Sequence, residues 1–298
     1  MRVLITGGTG LIGRRLCAAL LREGHEISVF SRKPESVKDK CGPAVTPIAS
    51  LAEWGPDDMF DAVINLAGEP IVDARWTEQR KTKLWQSRVV LTEELVRRIE
   101  GARVKPATLL SGSAVGYYGD RGDIKLSESA GPSPAFSSEL CKAWEQAAQR
   151  AAAFNVRVCT LRTGLVLDGT GGFLGRMLLP FRLGLGARIG DGRQWMSWIH
   201  IDDYVAIVLQ LLENSDARGP FNMNAPEAVT NAEFTSKLAH ALHRPAVFVA
   251  PGWLMRLLLG SRAYLLLGGQ RVLPAKLEAI GYRFSFPTLD DALRDLIR

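Results

Sequence analysis

The sequence predicts an α/β fold: a doubly wound parallel sheet followed by a small carboxyl-terminal lobe. Three observations lead there. Short apolar runs rich in β-branched residues alternate with longer helix-periodic segments through most of the chain. The first of these runs, Arg2–Thr6, leads straight into Gly7, Gly10 and Gly13, the spacing that turns a buried strand into a helix. From about residue 246 the alternation gives way to a proline-started helix, apolar turns and a last helical stretch. The expected division is 1–245 and 246–298, with substrate-side insertions from about residue 168.

The opening loop carries chemistry. Gly7 permits a tight turn, Gly10 lets the backbone approach a pyrophosphate, and Gly13 lets the new helix press on the strand. Free amides at that helix start then face the phosphates. The first helix ends near Glu23, with Gly24 as its left-handed cap. Glu26–Phe30 is the second strand. Where an NAD site usually places an acid to accept from the ribose hydroxyls, this chain has Ser31, Arg32 and Lys33. A guanidinium there can stack on adenine or fork onto a 2′-phosphate, so the preference is for NADP(H).

A third strand is expected over 45–48 and a fourth over 61–65, entering Leu66-Ala67-Gly68. Small residues at a strand's carboxyl end let a cofactor lie flat. Asn65 either serves that site or pins the neighbouring strand. A long helix follows over 77–100; its Ser87 and Arg88 either reach back to the cofactor or face solvent, and the helix itself either pairs in a homodimer or covers the sheet. The fifth strand, 106–110, runs into Ser111-Gly112-Ser113, and Ser113 is the first choice to orient a substrate carbonyl or hydroxyl. Residues 120–134 are a surface excursion, and 136–153 a helix capped by Ser137 or Ser138. The sixth strand, 156–161, ends in Arg162-Thr163-Gly164. A flexible loop over 169–175 precedes a helix ending near Pro180, and 184–192 is a glycine-studded turn region. His200 lies in a strand-like run and is expected to be a packed histidine; helices follow over 202–213 and 230–242, with a short strand over 220–224 between them. This is the pattern of a Rossmann-type sheet.

Composition narrows the function classes. Of 298 residues, 47% are hydrophobic and 23% charged, as in ordinary globular chains. The early residues lack a secretory pattern, and the apolar run over 253–267 is broken by Arg256, Gly260 and Arg262, so a cytoplasmic chain with no membrane span is expected. Cys17, Cys41, Cys141 and Cys159 have no metal-type spacing and read as buried thiols. The net charge of +6 is spread along the chain and suits an anionic cofactor and a small-molecule substrate rather than a nucleic acid.

Gly7-Gly8-Thr9-Gly10-Leu11-Ile12-Gly13, Asn65-Leu66-Ala67-Gly68, Ser111-Gly112-Ser113 and Trp198-Ile199-His200-Ile201-Asp202-Asp203 together resemble the extended short-chain dehydrogenase/reductase superfamily. More closely, Asn65 to Glu69, Ser87-Arg88, Met177 to Gly186, Trp198 to Ile201 and Thr230-Asn231-Ala232-Glu233-Phe234 resemble its YfcH-type epimerase-family group. The resemblance implies that Gly7, Thr9, Gly10, Leu11, Ile12 and Gly13 hold the pyrophosphate and Ser31-Arg32 the 2′-phosphate. It also implies that Leu66, Ala67, Gly68, Arg88, Gly164 and Val166 line the rest of the dinucleotide. Active members of the superfamily use Tyr-x-x-x-Lys on the helix after the fifth strand, the lysine holding the nicotinamide ribose. Here Lys142 is present but Ser138 stands four residues before it. Lys142 holds the ribose only if the helix register permits; the proton donor is left among Tyr117, Tyr118 and Glu145. The implied function is an NADP(H)-dependent oxidoreductase, with a nucleotide-sugar epimerase or a non-catalytic NADP sensor as alternatives.

Overall fold

The computed structural model describes residues 1–297. Its centre is a sheet of seven strands: β1 (Arg2–Thr6), β2 (Glu26–Phe30), β3 (Thr46–Ile48), β4 (Ala62–Asn65), β5 (Thr108–Ala114), β6 (Arg157–Thr163) and β7 (Gly219–Met223). In space they run β7-β6-β5-β4-β1-β2-β3, every neighbour parallel. The chain walks outward from β1 to β3, then returns to β4 on the other side of β1. That reversal opens a crevice at the carboxyl ends of β1 and β4, where the glycine loop sits. Both faces of the sheet are covered, which is why Val3, Leu4 and Ile5 can all be fully buried in succession. Leu16 and Leu20 of α1 (Leu11–Arg22) and Ile207, Val208 and Leu211 of a helix over Ile201–Glu213 cover one face. Leu95, Val96 and Ile99 of a helix over Leu91–Gly101 cover the other.

Several boundaries differ from expectation. β5 continues through Ser113 because the polar residues are satisfied inside the sheet: Asn65 Nδ2 donates to Ser111 Oγ at 3.1 Å. The long helix over 77–100 is interrupted by a π-turn at Gln86–Val90, between α2 (Glu78–Trp85) and α3 (Leu91–Gly101). The widened turn delivers Ser87 and Arg88 to the loop after β4. Neither Ser137 nor Ser138 caps α4 (Phe136–Gln149); Ala135 is the cap residue, and Ser138 Oγ donates to the Tyr117 carbonyl instead. The segment 169–175 is only partly loop, since α5 (Gly172–Arg182) begins within it and continues past Pro180. The Pro180 carbonyl still finds a donor in Leu185 N at 2.9 Å.

The last fifty residues are stitched back onto what precedes them. Phe248–Ala250 pairs in parallel with Ala187–Ile189, and Arg271–Val272 with Lys125–Leu126. The Trp198-to-Asp203 motif is the clasp. Asp203, at the start of α6 (Ile201–Glu213), accepts from Tyr282 Oη at 2.8 Å, Ser285 N at 2.8 Å and Phe286 N at 2.9 Å. His200 caps α6 through Nδ1, which accepts from Asp202 N at 3.1 Å, and its ring stacks on Phe286 at 3.8 Å. Nε2 then carries the ring proton, 3.4 Å from Asp295 Oδ2, so this group of His200, Asp202 and Asp295 offers a metal no free nitrogen. Asp203→Ala should cost about 3 kcal/mol by leaving buried donors unpaired, measured by chemical denaturation.

Burial holds His200 below its ordinary value of 6.5, against the opposing pull of Asp202 and Asp295. The unfolded chain therefore takes up a proton that the folded one resists. The neutral ring's contribution is full above pH 6.5 and is lost as pH falls below it. Unfolding free energy measured between about pH 7 and about pH 5 should slope less in His200→Gln than in the parent chain. An unchanged slope would remove His200 as a source of acid sensitivity.

Candidate functional site

The glycine loop has the geometry of a phosphate cradle. Gly7 adopts φ +72°, and a Cβ there would lie 2.7 Å from the carbonyl carbon and oxygen of Leu66. Only glycine passes this close beneath the exit of β4. Gly10 N donates to the Gly7 carbonyl at 3.0 Å, closing the turn. Gly10 is also the cap residue of α1 and offers no side chain to its first amides, which stay available to an anion. Gly13 is buried under the loop, where a Cβ would crowd Gly8 Cα at 2.6 Å. Leu11 packs against Gly172, and Ile12 against the main core.

A cavity of about 580 Å³ opens over this loop. Gly7, Thr9 and Gly10 line one side, Ser31 and Arg32 the end of β2, and Leu66, Ala67, Gly68 and Glu69 the exit of β4. Lys83, Gln86 and Ser87 of the long helix close it; only Ser87 among these three was indicated by the sequence. Arg32 is four-fifths exposed, and its Nη1 donates to Glu69 Oε1 at 2.9 Å across the cavity. Arg80 reaches the other oxygen of Glu69 at 3.4 Å. The Arg32 hydrogen bond, aided by both positive charges, holds the Glu69 carboxyl below the usual range. No role for Glu69 was legible in the sequence, because its partners lie 37 residues before it and 11 after it.

Behind the cavity, Asn65 pins strands. Its Oδ1 accepts from Thr6 Oγ1 at 2.7 Å and its Nδ2 donates to Thr92 Oγ1 at 2.7 Å, so no group on it remains for a cofactor. Arg88 points back under Gly68, donating from Nη2 to the Glu69 carbonyl at 2.8 Å, while Ser87 Oγ accepts from Glu69 N at 3.1 Å. A Cβ on Gly68 would meet Arg88 Cζ at 2.9 Å. Arg88 thus braces the loop that lines the cavity, and burial lowers its pKa.

Further along the sheet edge lies a second polar group. Ser113 Oγ donates to Glu145 Oε1 at 2.6 Å, and Glu145 holds Arg162 through two bonds of 2.8 and 2.9 Å. Burial opposes the charge on Arg162, but Glu145 outweighs it and holds the guanidinium pKa up. Arg162 Nη1 also donates to Tyr118 Oη at 2.9 Å, and its guanidinium lies over the Tyr117 ring at 3.7 Å. Tyr118 is fully buried, donates to Asn222 Oδ1 at 2.6 Å, and is pushed by burial up to about 12. Tyr117 is half-buried, and among the described residues its phenol oxygen has no hydrogen-bond partner.

The register of α4 does not bring Lys142 to this group. Ser137 and Cys141 face inward and Lys142 is exposed, because one residue along a helix rotates the side chain by about 100°. Cys141 instead lies beside Ser113 and Ala114, where burial pushes its thiol up to about 11. All four cysteines are free and buried. Gly164 sits where β6 passes to Leu165–Asp168; a Cβ there would lie 2.6 Å from the Ser197 carbonyl. Val166 packs on the main core, and neither it nor Gly164 lines the cavity.

Comparisons with known proteins fit this geometry. The sequence pattern of the NAD dependent epimerase/dehydratase family matches residues 3–225, and a domain of unknown function, DUF1731, matches residues 250–296. The epimerase family protein SDR39U1 of Mus musculus is 40% identical over 301 residues, covering all of both chains. The epimerase family protein YfhF of Bacillus subtilis is 35% identical over 302 residues, covering 100% of this chain and 98% of its own. The crystal structure of human SDR39U1 with NADPH superposes at a TM-score of 0.91, with 39% identity and 99% of each chain covered. A UDP-galactose 4-epimerase at 20% identity and TM-score 0.75, covering 99% of this chain and 97% of its own, shares the fold. Among the described residues no helix is long and apolar enough to cross a membrane. With a parallel sheet reversing at β1, an uncapped glycine loop at that reversal and relatives aligned end to end, the chain belongs to the NAD dependent epimerase/dehydratase family.

Proposed function

We propose that this chain is an NADP(H)-dependent oxidoreductase acting on a small molecule. One observation carries the cofactor preference: Arg32, two residues past the end of β2, lines the cavity where the adenosine ribose of a dinucleotide on this loop would lie. The human relative crystallised with NADPH supports the same choice. The residues fit the group. The bare amides of α1 take the pyrophosphate, and Ser31 and Arg32 take the 2′-phosphate once Arg32 leaves Glu69. Leu66, Ala67 and Gly68 lie flat beneath it. When bound, the nicotinamide supplies or accepts hydride.

Ser113 orients the substrate oxygen, with Glu145 fixing its hydroxyl. Tyr117 exchanges the proton. Tyr118 is excluded by burial and its two partners, and Glu145 by its commitment to Arg162. Lys142 has no part in this scheme, and residues beyond 168 with the lobe over 246–298 supply substrate contacts. Following NADPH consumption against a panel of carbonyl compounds tests it. Tyr117→Phe and Ser113→Ala should each lower turnover on the responding substrate by about a hundredfold with NADPH affinity unchanged. Full turnover in both variants would end this assignment.

The second reading is an NADP-binding regulator without turnover. It is favoured by the tie between Ser113 and Glu145, which already uses the serine proton, and by the exposure of Lys142. Tight NADPH binding with no consumption across the panel would select it.

A further inference from the structure

Exposed apolar side chains from two distant segments are brought onto one surface. Leu179, Leu183 and Leu185 are 67%, 65% and 57% exposed, and Val247, Trp253 and Leu257 are 75%, 66% and 68%. The strand Phe248–Ala250 pairs in parallel with Ala187–Ile189, Phe248 opposite Ala187, so Val247 and Leu185 lead into it side by side. Arg244 Nε donates to the Arg182 carbonyl at 2.9 Å and ties the two approaches together. The helix Gly252–Leu259 starts just past that strand, and no residue of it is buried. Both it and α5 reach the loop over 72–75: Arg75 Nη2 donates to the Leu258 carbonyl at 3.3 Å, and Arg176 Nη1 lies 2.8 Å from Asp73 Oδ1. Leu179 and Leu183 follow Arg176 on its side of α5, as Leu257 follows Trp253 on the other helix, by helical spacing.

The charge on this surface has one sign. No Asp or Glu occurs over 169–190 or over 234–277. Arg182, Arg244 and Arg256 are exposed, and among the described residues none of the three has an acid within 4 Å. Asp73, bonded to Arg176, borders the face.

A continuous apolar patch set among unpaired cations marks a docking surface. A second copy turning the same face to it would press these guanidiniums against their own counterparts with no acid between them. The occupant is therefore anionic. Tryptophan and leucine side chains projecting beside arginines are the composition that seats at the boundary of headgroups and acyl chains.

We propose that this face docks on a bilayer surface carrying anionic lipid, Trp253, Leu257, Leu179 and Leu183 entering the headgroup boundary and Arg182, Arg244 and Arg256 meeting lipid phosphates. The contact is peripheral, since among the described residues no helix is long and apolar enough to cross a membrane. It needs neither NADP(H) nor turnover.

Co-sedimentation of the full chain with vesicles tests it. Vesicles of three parts phosphatidylcholine to one part phosphatidylglycerol should bind it about tenfold or more tightly than phosphatidylcholine alone, and high salt should release it. Arg182→Gln and Arg256→Gln should each weaken that binding about fivefold, and Trp253→Ser about tenfold. Among the described residues these three side chains make no hydrogen bond or ion pair, and all are exposed, so the variants keep the fold. Lys40→Gln, the same loss of charge in the helical turn before β3, should change binding by no more than about twofold. Absence of sedimentation with either vesicle, equal binding to both, or a loss in Lys40→Gln matching that in Arg256→Gln would each overturn the proposal. So would a lipid-free dimer, seen by analytical ultracentrifugation, that Leu257→Glu disperses, because that result gives the face to a second copy.

Discussion

Arg32→Asp should weaken NADPH binding about a hundredfold and leave NADH binding nearly unchanged, read by fluorescence titration. Charge-assisted hydrogen bonds from a guanidinium to a phosphate contribute about 1.5–3 kcal/mol, and the aspartate adds repulsion, so about 3 kcal/mol is a fair total. NADH has no 2′-phosphate and loses none of this. Glu69 supplies the opposite variant. Its carboxylate holds Arg32 at 2.9 Å and is also lined up against any phosphate entering there. Glu69→Gln frees the guanidinium and removes a like charge, so NADPH should bind a few-fold tighter, again with little change for NADH. Should Arg32→Asp bind both cofactors as the parent chain does, the 2′-phosphate is held elsewhere.

Glu145→Leu should be the most destabilising single change near the site. Arg162 is 3% exposed, and Glu145 is its only carboxylate within 4 Å among the described residues. Removing one partner of a buried pair strands the other charge in a medium that solvates it poorly, at a cost of about 3–5 kcal/mol. For a chain of this size that is about 5–8 °C in Tm. The loss is not the worth of the pair itself, and a second change shows the difference. In Glu145→Leu with Arg162→Leu no charge is stranded, so the double variant should melt above the single one, although Tyr118 and the Glu128 carbonyl lose a donor. A single variant melting with the parent chain would mean that water reaches Arg162.

Much of the fold was legible because its signals are local. β1 is a continuous apolar run because both faces of it are covered, and Gly7 must be glycine because its φ is positive. The expected helix starts at 77 and 230 fall on Thr77 and Thr230, which the structure shows capping those helices through their hydroxyls. His200 proved a packed residue, as expected, though nothing in its neighbours announced that it caps α6 and stacks on Phe286, 86 residues away.

Other features depend on which face an element turns. The single-residue offset between Cys141 and Lys142 decides whether a cation or a thiol meets Ser113, and packing of Leu140, Trp144 and Ala147 against the body sets it. The π-turn that swings Ser87 and Arg88 under Gly68 has no residue signature, since any side chains can occupy its widened turn.

By itself, then, the sequence determined the alternation of strand and helix, the glycine cradle, and a basic end to β2 where a dinucleotide would carry its extra phosphate. Each rests on torsional limits and burial within a few residues. Only the tertiary structure decided the bond from Arg32 to Glu69, the line from Ser113 through Glu145 to Arg162, and the clasp of Asp203 on residues 282–286. Those depend on charges brought together from distant parts of the chain, and hydrogen bonds and ion pairs act over a few ångströms of space, whatever the distance in sequence.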